Sequence, residues 1–315
     1  MSTFLNKILQ RIGQPDLVRI LSQELSGTEF NSLLLEVLNE RVAAITPAQL
    51  LNQYQLNRFV KPCDLPVIDL RRIELDHLIL YEKFGFEPLE LSPVSALGSC
   101  AAVATVNQKK IISALRGTEV LADATNAIAL HIADLKKNRQ SSTSQNEIRF
   151  SAIQRHVRAP MMEVKGFTPH FKIGCLVTAG YDSGNYSFEK ENLFEHITLI
   201  EAIREYYRVE EVRYRFLCRK SGYENAAGLA QQIKAHILKY RPHLKIDVIE
   251  DPEKEINYYR GIQYKADFTL NGKVYEIADG GFVDWTQQLL QNKKERMLTT
   301  GMGFEFMYRI VNGKL

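Results

Sequence analysis

Residues 262–281 read IQYKADFTLNGKVYEIADGG. Two runs that alternate apolar and polar side chains flank Asn271-Gly272, a dipeptide suited to the positive φ angles of a two-residue hairpin turn. No stretch of the chain carries a stronger local signal, and it commits this region to antiparallel β structure. Upstream, IRFSAIQRHV (148–157) and HFKIGCLVTAG (170–180) read as two further strands around the loop RAPMMEVKGFTP (158–169). VRYRFLCR (212–219) and LKIDVIEDP (244–252) read as strands as well, and TTGMGFEFMYRI (299–310) as a strand running into a helix.

Helices lie between these strands. Apolar residues recur at three- and four-residue spacing in PDLVRILSQELSGTEFNSLLLEVLNERVA (15–43), with Ser26 and Thr28 as candidate caps. Thr46 caps the next segment, with Pro47 at its first helical position. RRIELDHLILYEKFGFEPLELSP (71–93) reads as a helix followed by a short strand ending at Pro93. An amphipathic helix begins near Asp123 or Thr125, another follows Ser221 as its cap, and DWTQQLLQNKKERM (284–297) reads as a third. KKNRQSSTSQNE (136–147) has the composition of a loop. Hairpins mixed with long helices predict an α+β fold. The expected division is an N-terminal helical extension over 1–64 and a core over 65–315.

The 315 residues suffice for a substantial core, and 45% hydrophobic with 24% charged residues describes a globular protein. A net charge of +3 makes no case for a nucleic-acid binder. No signal peptide and no apolar run of membrane-spanning length is read. Cys63, Cys100, Cys175 and Cys218 form no CxxC, so free thiols in a reducing, cytoplasmic compartment are expected. GxxxxGK[ST], GxGxxG in a strand-to-helix context, HExxH and the Ser-x-Gly elbow are all missing.

Three polar constellations remain. Arg155, His156 and Arg158 flank one end of the long hairpin loop, and His170 and Lys172 the other. Pairing brings these ends together, as a cluster for carboxylate or phosphate or as a basic outer sheet face. Glu276 and Asp279, near Tyr258, Tyr259, Gly280 and Gly281, suit an ammonium group or Mg²⁺, or are strand-end residues meeting water. Arg116, Glu119, Asp123 and Thr125 surround a helix start, where backbone donors favour an anion and Thr125 can also act as a cap.

The order of these segments resembles the catalytic core of class II aminoacyl-tRNA synthetases, nearest the histidyl-tRNA synthetase group and its inactive relative, the ATP phosphoribosyltransferase regulatory subunit. IQRHVRAPMMEVKGFTPHFKIGCLVTAG is similar to the family's second motif, with Arg155 in place of the arginine on the α-phosphate, Val157 in place of a glutamate, and Lys172 where glutamine is usual. NYYRGIQYKADFTLNGKVYEIADGGFVD resembles the RGLDYY-to-GGGRYD stretch: Tyr258 and Tyr259 by the amino-acid pocket, Gly280, Gly281 and Asp284 matching, Phe282 replacing arginine. LADATNAIALHIA resembles the LRPEGT segment, with Thr125 matched. TTGMGFEFMYRI resembles the glycine-rich third motif through Gly301 and Gly303, with Arg309 as the arginine for the terminal phosphates. Residues 72–93 correspond loosely to the first, dimer-forming motif.

The resemblance implies a mostly antiparallel sheet backed by helices, binding of ATP, Mg²⁺ and an amino acid, and a homodimer. With five residues after the third motif, no anticodon-binding domain is expected. Two functions follow. One is ATP-dependent activation of an amino acid or other carboxylate through an acyl adenylate, with Arg155 and Arg309 catalytic and Glu276 or Asp279 orienting Mg²⁺ or an amine. The other is a non-catalytic paralogue, a regulatory or amino-acid- or nucleotide-binding subunit. RNA binding through Arg155, Arg158, Lys165 and Lys293-Lys294 is the weaker alternative.

Overall fold

The computed structural model describes residues 3–138, 147–160, 168–250 and 258–314. Four helices come first: α1 (Thr3–Arg11), α2 (Leu17–Arg19), α3 (Gly27–Ala43) and α4 (Pro47–Leu56). Ser26 and Thr46 cap α3 and α4, each in a reciprocal capping box, with Glu29 and Gln49 respectively. Thr28 lies inside α3 and caps nothing. Neither α3 nor α4 buries a residue in this chain.

Next come α5 (Val67–Lys83), β1 (Glu87–Pro88), a ribbon of β2 (Val94–Ala96) and β3 (Thr118–Val120), and α6 (Ala124–Asn138). The long hairpin is β4 (Ile148–Val157) and β5 (His170–Tyr181). It is followed by α7 (Ser187–Tyr206), β6 (Glu211–Cys218), α8 (Ala226–Tyr240) and β7 (Lys245–Glu250). The chain closes with β8 (Ile262–Leu270), β9 (Lys273–Val283), α9 (Trp285–Leu290), β10 (Glu295–Met302) and α10 (Phe304–Val311). Eight strands form one sheet in the order β1-β4-β5-β10-β9-β8-β6-β7. Among the described residues only β1/β4 and β6/β7 pair in parallel. The α+β expectation therefore holds, as a mostly antiparallel sheet backed by helices.

Asn271 (φ 52°) and Gly272 (φ 70°) form the β8–β9 turn their chemistry predicts. Local expectations fail elsewhere for physical reasons. The strand expected up to Pro93 is two residues long, Glu87–Pro88. Asn225, not Ser221, caps α8, accepting the N–H of Gly228 at 2.7 Å. Gln291 adopts a left-handed φ of 51° and stops α9, so Glu295–Met297 join β10 instead of a helix. Lys136 to Asn138 belong to α6, whereas 139–146 of the expected loop and 161–167 of the hairpin loop lie outside the described residues.

The sheet has two different faces. One is sealed by α5, α7, α8 and α10 into a core containing Tyr81, Tyr214, Phe216, Tyr264, Leu298 and Met302. Each such side chain stabilises the fold by roughly 1.5–3 kcal/mol through burial. The other face is covered by α6 and α9 at one end, where Ile128, Ile132 and Trp285 pack on Val177, Ala179 and Met297. Its remaining end is left to a cleft. Among the described residues, no helix is long and apolar enough to cross a membrane.

Candidate functional site

Strand register decides which side chains reach this cleft. Residues directly opposite in an antiparallel pair share a face, and neighbours along a strand alternate. Cys175 pairs with Gly301, Gly301 with Asp279, and Gly281 with Gln263. These residues, with His156 and Ile173 on the adjoining strands, belong to the open face. A cavity of about 560 Å³ lies over them, between the start of α6, the end of β4 and the middle of β9. A smaller one of about 190 Å³ adjoins it, sharing Arg158, Ile173, Glu276 and Gly303.

The floor of the larger cavity is acidic and aromatic. Asp123 caps α6: its Oδ1 accepts from the N–H of Thr125 at 2.9 Å and from the Thr125 hydroxyl at 2.6 Å. Its Oδ2 accepts from Tyr258 at 2.7 Å. Asp279 accepts from Gln263 at 2.7 Å and from Tyr259, and burial raises its pKa above the usual carboxylate range. Asp123 and Asp279 thus carry two half-buried carboxylates with no ion pair among the described residues. Thr125 and Asp123 from one constellation of the sequence reading and Tyr258, Tyr259 and Asp279 from another are brought together here, with Gln263. Asp123 was visible in the sequence as a cap, but its link to Tyr258 spans 135 residues.

Arg155 is not part of this group. It pairs with Lys172 across β4–β5, on the helix-backed face. Its guanidinium binds the buried carboxylate of Glu305 and donates to His170 Nδ1 at 2.9 Å. His170 in turn donates from Nε2 to the Lys61 carbonyl at 2.6 Å. Lys172 reaches the rim of the smaller cavity but is held in a buried ion pair with Glu74. The expected basic cluster is therefore split by the pleat. His156 and Arg158 face the cleft, while Arg155, His170 and Lys172 brace the core. Arg158 lies with its guanidinium 5.5 Å from the Phe171 ring, and among the described residues its side chain makes only a long 3.4 Å bond to the Ala122 carbonyl.

Helix α10 repeats this theme. Arg309 lines the smaller cavity, yet it is 5% exposed and forms a two-bonded pair with Asp64, one bond at 3.1 Å. Two residues after Gly303 comes Glu305, the acid that captures Arg155. The position following that glutamate is Phe306, and the arginine that the resemblance gives to the terminal phosphates is Arg309. Glu305 escaped sequence reading because its partner lies 150 residues away.

Other expected ligand residues have structural work. Arg116 is exposed on the Arg116-Gly117 turn, where its N–H donates to Asn31, away from the cleft. Glu119 is fully buried and accepts from Gly98, Ser99, Cys100 and Gln108. Burial raises its pKa, but those four donors outweigh it and leave the carboxyl below its ordinary range. Gly280 and Gly281 sit mid-strand in β9. A Cβ at Gly280 meets Thr299 O at 2.6 Å, and one at Gly281 meets Ile262 O at 2.6 Å. They admit Tyr264 and Tyr259 rather than a ligand. Gly301 and Gly303 do line the cleft, and a Cβ at Gly301 meets nothing closer than 3.8 Å.

The acids do not fit Mg²⁺. A register shift at Ala266/Asp267 returns Glu276 to the cleft face, but its carboxylate is taken by Arg215 at 3.0 Å and Lys265 at 2.7 Å. Among the described residues no group of three His, Cys, Asp or Glu converges as a metal site. Lys165 lies outside the described residues. A third cavity, about 600 Å³, contains Arg260 and Arg296, but both are neutralised, by Asp284 at 2.9 Å and by Asp182 at 2.7 Å.

No protein-family model and no curated protein matches the chain. Solved structures do. A histidyl-tRNA synthetase from S. aureus superposes with a TM-score of 0.59 at 12% identity, over 81% of this chain and 69% of that one. An ATP phosphoribosyltransferase regulatory subunit/histidyl-tRNA synthetase from Bacillus halodurans gives 0.59 at 13%, over 82% and 83%. The RNA binding domain of threonyl-tRNA synthetase from Cryptosporidium parvum gives 0.61 at 9%, over 78% and 64%. At these identities the likeness defines architecture: the chain has the class II aminoacyl-tRNA synthetase-like fold.

Proposed function

We propose that this protein binds a free amino acid in the 560 Å³ cavity over Asp123 and Asp279 and does not activate it. One observation carries the reading. Asp123 and Asp279 make no ion pair among the described residues, Lys265 opposite Asp279 being held by Glu276, while Arg155 is turned through the sheet onto Glu305. The ligand's ammonium sits between the two carboxylates, with Tyr258 and Tyr259 keeping water from it. Its carboxylate lies toward Arg158, at the end of β4 beside Ala122.

Adenylate formation asks for more than this. It needs fixed cations where charge develops on the phosphates. His156 faces the cleft in place of Arg155, Phe306 follows Glu305, and Arg309 is occupied by Asp64. ATP and Mg²⁺ chemistry therefore finds few of its supports in the described residues. A subunit role in a homodimer or in a larger assembly is consistent with the regulatory subunit among the structural relatives.

The acids provide the test. Asp123→Asn keeps a good helix cap and removes the charge, and Asp279→Asn keeps a partner for Gln263. Each charge-assisted bond lost weakens binding by roughly 10- to 100-fold. The expected result is that both variants fold and lose the thermal stabilisation given by the amino acid that stabilises the wild type. Undiminished stabilisation in both contradicts the reading.

A further inference from the structure

His156 is 1% exposed and forms part of the wall of the larger cavity. The backbone N–H of Ala124, at the start of α6, points at its Nε2 from 3.2 Å. A backbone amide only donates, so Nε2 is the lone-pair nitrogen of the neutral ring, and the ring proton is on Nδ1. Nδ1 has no partner within the described residues. Burial is the main cause that lowers this imidazole's pKa to about 4, with Asp123 opposing and Arg158 reinforcing the shift. The ring is therefore neutral, of one tautomer, and holds an unspent donor. Leaving a buried donor unpaired is unfavourable, and a ligand acceptor relieves that on binding.

Arg158 lies two residues further along the same edge, its N–H continuing the ladder to Pro169 O at 2.9 Å. The side chains of His156 and Arg158 both line the larger cavity. We infer that His156 is a specificity-determining residue: its Nδ1–H donates to a carboxylate oxygen of the bound amino acid, beside the guanidinium of Arg158. The inference rests on the proposed function and deepens it. One wall of the cavity takes the carboxylate through a charged and a neutral donor, and the floor takes the ammonium through Asp123 and Asp279. A decarboxylated amine satisfies only the floor.

The test begins on the unmodified protein. Imidazole ¹⁵N spectra at neutral pH are expected to show His156 protonated at Nδ1 and bare at Nε2. Addition of the standard L-amino acids one at a time is expected to shift Nδ1 with those that bind. Next, binding of each such amino acid and of its decarboxylated amine is measured in three proteins. In His156→Asn the amide nitrogen falls near Nδ1, and affinity for the amino acid stays within about threefold of wild type. In His156→Gln the amide falls near Nε2, the donor is lost, and affinity drops about tenfold or more while the amine is unaffected. A ring protonated at Nε2 overturns the inference, and so does His156→Gln binding the amino acid as tightly as wild type. If wild type binds an amino acid and the glutamine variant binds it equally, only the role of His156 is wrong. If no amino acid binds wild type, the proposed function falls and takes this inference with it.

Discussion

Arg155 and His156 are consecutive residues of β4 whose side chains leave the sheet on opposite faces. Arg155 enters the helix-backed core to meet Glu305, and His156 enters the cleft to meet the start of α6. A strand reverses its side chains at every residue. One step of register therefore decides whether a guanidinium or a neutral imidazole confronts the ligand. The consequences are measurable.

Arg155 is expected to matter for stability. Glu305 is 2% exposed, and removing its cation leaves a buried charge behind. Arg155→Ala should cost about 3 kcal/mol, read as a lowered denaturation midpoint. Adding Glu305→Gln to that background should recover part of the loss, because the stranded charge is gone. A double variant less stable than Arg155→Ala contradicts the pairing.

Arg309 is assigned a similar role, linking α10 to the segment before α5. Asp64 is 63% exposed at its side chain, so solvent screens the pair and the coupling is expected to be about 1 kcal/mol. A double-mutant cycle of Arg309→Ala and Asp64→Ala measures it. Strictly additive losses would show that the two residues are not partners.

Stability should fall with acid before the carboxylates titrate. His77, His156 and His196 are buried, and burial lowers their pKa values to about 4, about 4 and about 3. Below the ordinary histidine pKa of about 6.5 the unfolded chain takes up protons that the folded one refuses. The stabilisation is complete above about pH 7 and is lost as pH falls from there toward 4. Between pH 7.5 and 5 each ring contributes roughly 2 kcal/mol. His196 is flanked by Thr178 at 2.9 Å and Thr300 at 2.6 Å, so His196→Gln is expected to flatten the slope by about one proton. Urea midpoints across this range provide the check, and an unchanged slope refutes the assignment.

The glycines separate packing from binding. Gly280→Ala forces a methyl onto Thr299 O and the Tyr264 ring and should cost roughly 1–3 kcal/mol. Gly301→Ala has room and should change the melting temperature little, while its methyl projects into the cleft and weakens amino-acid binding. Equal stability losses in the two variants would contradict this division.

Much of the architecture was legible because local rules and the fold agree. The Asn271-Gly272 turn, the Thr46-Pro47 start and the two strands of the long hairpin are where alternation and turn chemistry place them. The facing of β4 was not. Both of its faces are largely buried, so Phe150, Ala152 and Gln154 on one side and Ser151 and Ile153 on the other leave no polar alternation to read. The partners of Arg155, Arg309 and Tyr258 lie 150, 245 and 135 residues away, beyond any local pattern. Glu276 was visible as an acid, but the bulge that turns it toward the cleft and the cations that occupy it are tertiary facts.

The central claim is binding without activation. It is tested most directly by screening the standard amino acids for thermal stabilisation and, on the same preparation, for amino-acid-dependent exchange of pyrophosphate into ATP with Mg²⁺ present. The account predicts that at least one amino acid raises the melting temperature and that none supports exchange. Exchange driven by the stabilising amino acid would contradict it.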